Sequence, residues 1–189
     1  ILDEAIRELK RTEFREVFKD EISREDDFVK DCTIDTDLEI LIPDNYVENI
    51  TERLTLYYRL DNCEDEITLQ AFYAEMNDRF GPVPPKVEDL FTTVRCRRLA
   101  VGLGFERMVL KHNTLRCYFV NNPDSPYFES AVFQGILQFI QTRINKGKLK
   151  QVGKNFMLVV ETIENMKQLH EMLEFMHTDI LKKNELAVS

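Results

Sequence analysis

At 189 residues the chain has room for one domain and an appendage, and at 43% hydrophobic and 31% charged it can bury a sizeable core and is too apolar for wholesale disorder. No apolar run approaches the ~20 residues of a membrane span, and a formal net charge of -9 with pI near 5.0 opposes general duplex binding and suits a protein partner with a basic surface. Cys32, Cys63, Cys96 and Cys117 lie far apart without C-x-x-C spacing, and His112, His170 and His177 fit no metal-ligand pattern, so a disulfide framework or zinc site is not expected and a reducing, cytoplasmic compartment is.

Residues 1–34 carry dense charge of both signs over a thin apolar stripe, the pattern of a helical arm or linker from a preceding domain. A start at Ile1 without Met fits a piece of a longer protein. Asp35 to Ile42 predicts a strand with Ile34, Leu38, Ile40 and Ile42 on one face.

Three helices follow. Asn49 with Glu52 forms a capping-box signature, and Ile50, Leu54, Tyr57 and Tyr58 then repeat on one face. Asp61 or Asn62 caps the second helix, which runs to Phe80 with Leu69, Phe72, Tyr73, Met76 and Phe80 on its apolar side and stops at Gly81-Pro82. Pro84-Pro85 opens the third, which Gly102 and Gly104 end.

From Phe105 the pattern changes. Strands at Arg107–Leu110 and Leu115–Val120 flank a turn, and Ser125-Pro126 opens a helix to Ile144. A second hairpin, Leu149–Val152 and Phe156–Val160, leads to a helix capped by Thr162 with Ile163, Met166, Leu169, Leu173 and Met176 as its stripe. Strand–strand–helix thus occurs twice. The expected fold class is α+β: a mostly antiparallel sheet with helices packed on it, spanning 35–183, preceded by the 1–34 arm and followed by a frayed tail at 184–189.

No nucleotide-binding or nucleophile signature is present, and no cofactor is expected. Gly102-Leu103-Gly104 follows a helix and reads as a helix stop. Met157, Met166, Met172 and Met176 read as core filler, with an adaptable groove as the alternative. Lys146, Lys148, Lys150 and Lys154 surround the second hairpin; they read as edge protection, with a phosphate-backbone contact as the alternative. On the second helix, Glu75, Asp78 and Arg79 fall off the apolar face. They form either a solvated surface or a charged docking surface.

The segments Ile42-Pro43-Asp44-Asn45-Tyr46-Val47, Arg53 to Leu60 and Asp78-Arg79-Phe80-Gly81-Pro82-Val83-Pro84 closely resemble the C-terminal domain of the bacterial transcription-repair coupling factors, superfamily-2 DNA translocases, over about Leu38 to Gly104. Ile1 to Ile6 resembles the end of the preceding motor domain. The resemblance implies a non-catalytic, autoinhibitory domain of an ATP-dependent translocase that displaces stalled RNA polymerase and recruits the excision-repair damage-recognition ATPase. It implies docking on an N-terminal repair-helicase-like module of the same protein, through Glu75, Asp78 and Arg79. No membrane partner is implied, and direct DNA binding is not expected. The alternative is an accessory nucleic-acid-binding domain using Lys146, Lys148, Lys150 and Lys154; a hydrolase with a carboxylate pair has no feature in its favour.

Overall fold

The computed structural model describes residues 28–144 and 147–188. The arm proposed for 1–34 therefore lies outside the described residues up to 27. Its last part belongs to the domain, since Val29 and Cys32 are buried in the main core.

Among the described residues there are five strands in the order β1-β2-β3-β5-β4: β1 Thr33–Thr36, β2 Phe105–Lys111, β3 Thr114–Phe119, β4 Gly147–Val152 and β5 Asn155–Glu161. All pairings are antiparallel except β1 with β2. A parallel pair needs a long crossover, and here α1 (Ile50–Asp61), α2 (Glu66–Phe80) and α3 (Pro85–Leu103) supply it. A 3-10 turn at Pro126–Glu129 and α4 (Ala131–Arg143) follow the first hairpin, and α5 (Met166–Val188) follows the second. The class is α+β, as expected, and the strand–strand–helix unit does recur.

Several local expectations change. The strand read over Asp35 to Ile42 pairs only to Thr36; beyond it Asp37 N–H donates to the Leu110 carbonyl at 3.3 Å, and the chain leaves the sheet. The alternation itself is real. Ile34, Leu38 and Ile40 pack on the main core and Ile42 enters a second one. Asp65, not Asp61 or Asn62, caps α2, its carboxylate accepting from Thr68 N–H at 2.7 Å. The helix expected from Pro126 breaks at Ser130, whose hydroxyl accepts from Phe133 N–H and starts α4 afresh. Asn165 caps α5 through Gln168 N–H, and Thr162 lies outside it with φ of 67°. Gly102 lies within α3, where a Cβ would stand 3.3 Å from His177 Nε2 on α5. The last helix runs on to Val188, through most of the tail.

The two cores meet along α3. Its first half gives Val87, Phe91 and Val94 to a helical core shared with Leu56 and Leu60 of α1 and Leu69, Phe72 and Met76 of α2. Its second half gives Cys96, Ala100 and Leu103 to the sheet core, which α4 and α5 also enter. Arginines of α3 lock the insertion to this spine. Arg95 holds Glu66 at 2.8 Å, Arg97 bridges Asp61 and Asp31, and Arg98 donates to the Cys63 and Asp65 carbonyls. One helix thereby fixes the pose of α1 and α2 against the sheet layer.

Candidate docking surface

The outer face of α1 and α2 carries the trio singled out in the sequence. Asn49 caps α1 as expected, its Oδ1 accepting from Glu52 N–H at 2.9 Å, while the Glu52 carboxylate turns to Arg79. Leu69, Phe72 and Met76 turn α2 inward, which leaves Glu75 and Arg79 toward α1 and Asp78 toward solvent.

The trio divides. Glu75 receives a bidentate pair from Arg59, at 2.7 and 2.6 Å, and a third bond from Arg79 at 3.1 Å. Arg79 also reaches Glu52 on α1. The guanidinium of Arg59 sits 4.5 Å from the Phe72 ring centroid and that of Arg79 sits 4.7 Å from Phe80. Each arginine is thus fixed by a carboxylate and an aromatic ring. The Arg59 hydrogen bonds foremost hold the Glu75 carboxyl down at about 2. Glu75 and Arg79 form a neutralised seam between the helices, and Asp78 is exposed without an ion-pair partner among the described residues.

A hydrophobic stripe borders the seam. Of the face shared by Ile50, Leu54, Tyr57 and Tyr58, Tyr57 is half-buried against the helical core while Ile50, Leu54 and Tyr58 are 67%, 63% and 72% exposed, and Leu56 and Leu60 turn inward. On α2, Ile67 is 82% exposed. α1 is apolar around most of its circumference, so periodicity could not choose the inward face. That double stripe leaves an exposed apolar row on a structured helix, the kind of surface from which interaction sites are drawn.

Of the lysines, Lys148 and Lys150 lie on edge strand β4 and Lys154 in the adjoining turn, all exposed; Lys146 lies outside the described residues. The cysteines are all buried and free. Met166 and Met176 are fully buried core residues, and Met157 lies on the other side of the sheet. Among the described residues no group of His, Cys, Asp and Glu could hold a metal ion, and no helix is long and apolar enough to cross a membrane. A groove of about 620 Å³ between α4 and α5 is lined mainly by apolar side chains, among them Phe139, Met172 and Phe175.

By its fold this is an α+β domain of the type seen in the crystal structure of the C-terminal domain of transcription-repair coupling factor: that structure superposes with a TM-score of 0.66 over 80% of this chain and 92% of its own, at 16% identity. The TRCF domain family matches residues 36–130. The transcription-repair-coupling factor of Rickettsia bellii is 34% identical over 73% of the chain, and that of Escherichia coli 31% identical over 36%. The chain belongs to the transcription-repair coupling factor family, and it spans 12% of the length of the Rickettsia bellii relative.

Proposed function

We propose that the chain is the non-catalytic, autoinhibitory interaction domain of a bacterial cytoplasmic transcription-repair coupling factor. The parent would use ATP to translocate on DNA, displace stalled RNA polymerase and recruit excision repair. In its closed state this domain docks on the N-terminal repair-helicase-like module and masks the surface that the damage-recognition ATPase binds.

Asp78 supports the reading best. It is an exposed carboxylate on the outer face of α2 with no ion-pair partner among the described residues, beside a neutralised charge seam and the exposed stripe of α1. A basic partner would pair with Asp78 without first breaking an internal bond, whereas Glu75 already has two arginines. Glu75 and Arg79 then act as positioning residues that fix the α1–α2 geometry. A tethered domain needs only weak intrinsic affinity, because the linker supplies an effective concentration that can reach about millimolar.

The experiment is a titration of this domain with the N-terminal module of the same parent. Salt-sensitive binding that Asp78→Lys weakens about tenfold or more supports docking through α2. Binding left unchanged by Asp78→Lys moves the interface elsewhere. Asp78→Lys is the preferred variant because Glu75→Lys would also set two like charges against Arg59 and Arg79.

A further inference from the structure

In the helical layer each arginine has a partner: Arg59, Arg79, Arg95 and Arg97 each hold a carboxylate, and Arg53 and Arg98 donate to backbone carbonyls, although Arg98 Nε is buried without a hydrogen bond. The outward face of the sheet differs. After the bulge between Phe105 and Arg107, β2 turns Met108 and Leu110 into the core and leaves Arg107, Val109 and Lys111 outside. The register carries this alternation across the sheet. Arg107, Tyr118, Met157 and Lys150 form one row, and Val109, Arg116, Val159 and Lys148 the next. At ~4.8 Å between strands each row is about 14 Å long.

Val109, Met157 and Val159 lie on this side of the sheet, are buried and belong to neither core. Arg107, Lys148 and Lys150 are exposed, Arg116 is half-buried, and none of the four has an ion-pair partner among the described residues. Asp35, beside Val109 on β1, neutralises Lys111 at 2.9 Å and also lies within electrostatic reach of Arg107, and Glu161 stands at the margin opposite Thr114. The Arg107 guanidinium lies 5.4 Å from the Tyr118 ring centroid. In a chain of net charge -9, unpaired cations converge on one flat face around a planar ring.

We infer that this face binds single-stranded nucleic acid. Arg116, Lys148 and Lys150 neutralise phosphates, while Tyr118 and the Arg107 plane stack on bases. Cations alone would serve an acidic peptide equally well; the ring and the guanidinium plane give a base somewhere to lie. Phosphate neutralisation and base stacking do not depend on the sugar, so RNA and DNA strands of equal length are expected to bind alike. The lysine run visible in the sequence is one margin of this surface; its centre is built from β2, β3 and β5. The inference is independent of the docking surface, which lies in the other layer of the domain.

The test is fluorescence anisotropy on the 189-residue chain with labelled dT12, rU12 and a glutamate 12-mer, at 20 to 200 mM salt. Binding of both oligonucleotides is expected with a log–log salt slope of about -2 to -3, as three or four phosphate contacts to a single strand give. Lys148→Glu/Lys150→Glu lowers affinity at least tenfold, and Tyr118→Ala several-fold, with Tyr118→Phe restoring it. The control Lys167→Glu/Lys182→Glu makes the same charge change on α5, on the opposite side of the sheet, and leaves binding within about twofold. A circular-dichroism melt checks that each variant is folded, and Lys148→Ala, which leaves the edge strand intact, lowers the salt slope by about 0.7. The inference is overturned by silence at 20 mM salt, by unchanged binding in the β4 variants, by an equal loss in the α5 control, by comparable binding of the glutamate peptide, or by a preference above tenfold for one sugar.

Discussion

The ring of Tyr127 fills the space that a Cβ on Gly104 would need. A Cβ built there would stand 2.1 Å from Tyr127 Cε2, and the Tyr127 hydroxyl donates to the Leu103 carbonyl at 2.6 Å. Gly104 ends α3 in the left-handed region at φ of 83°, where L side chains are strained. The helix that carries both cores is therefore stopped by a glycine whose missing side chain is replaced by a tyrosine from 23 positions on. Tyr127 itself is fully buried among Phe119, Phe128 and Phe133.

Gly104→Ala meets both penalties together and should cost more than about 3 kcal/mol, at the exceptional end of single substitutions. Tyr127→Phe keeps the ring and leaves the Leu103 carbonyl unpaired, for about 1–2 kcal/mol. Urea unfolding followed by circular dichroism measures both. A Gly104→Ala loss below about 1 kcal/mol would show that Tyr127 moves aside freely.

The charge seam predicts acid sensitivity. The Glu75 carboxyl is held at about 2, against an ordinary value of 4.5, by the hydrogen bonds from Arg59 and then Arg79, and that of Glu66 is lowered foremost by Arg95. A depressed carboxyl pKa contributes stability that is complete above the unfolded value and is lost as pH falls through the folded one. For Glu75 that window runs from about 4.5 down to about 2. The side chain is 37% exposed, so solvent screening limits its share to about 1 kcal/mol. Glu75→Gln should be less stable than the unaltered chain at pH 6 and nearly equal to it at pH 2. Asp78→Asn, which removes no internal partner, should stay within about 0.5 kcal/mol at both. Equal stability of Glu75→Gln and the unaltered chain at pH 6 would mean that the seam does not hold α1 to α2.

The parts of the fold that were legible in the sequence rest on local chemistry. Asn49 capping α1, Pro85 opening α3 and Gly104 closing it each follow from one backbone requirement, and the turn at His112 and Asn113, both at positive φ, joins β2 to β3 where a hairpin was expected. The missed parts depend on what lies across space. The segment after Thr36 alternates like a strand, but β2 offers it no further partner. The inward face of α1 is chosen by α2 and α3, not by its own sequence. The sheet's basic face was invisible because Arg107, Arg116 and Lys150 become neighbours only through the register of four strands. At the candidate docking surface the trio was legible, but its division into two internally paired residues and one unpaired residue required Arg59 and Glu52 to be placed.

Thr162 invites a stabilising change. It is β-branched with φ of 67°, between the end of β5 and the start of α5, and its hydroxyl is exposed beside the Glu161 carbonyl. A β-branched residue in that region is strained by contact of its side chain with the backbone. Thr162→Gly removes the contact and should raise the melting temperature by a few degrees, a gain of about 1 kcal/mol. Thr162→Val, which keeps the branching, should give no gain. Calorimetry on the two variants separates backbone strain from loss of the hydroxyl, since a gain in both would point to the hydroxyl.

The four thiols test the cores themselves. Burial pushes Cys32 and Cys96 up to about 12 and Cys117 well above the ordinary thiol value, while Cys63, between α1 and α2, is raised less. The thiolate is the reactive form, so native protein at pH 8 should show almost no fast reaction with a disulfide reagent, and denatured protein should titrate all four. Slow native labelling must then pass through local opening. Cys63, at the edge of the helical core and 8% exposed, should react first, and Cys32, Cys96 and Cys117 should follow together at the rate at which the sheet core opens. Mass spectrometry of labelled peptides over time gives the order. If Cys63 labelled in step with the other three, the helical insertion and the sheet layer would open as one unit, joined through α3. If it labelled well ahead of them, α1 and α2 could move while the sheet stayed closed, which would leave the candidate docking surface free to adjust to its partner.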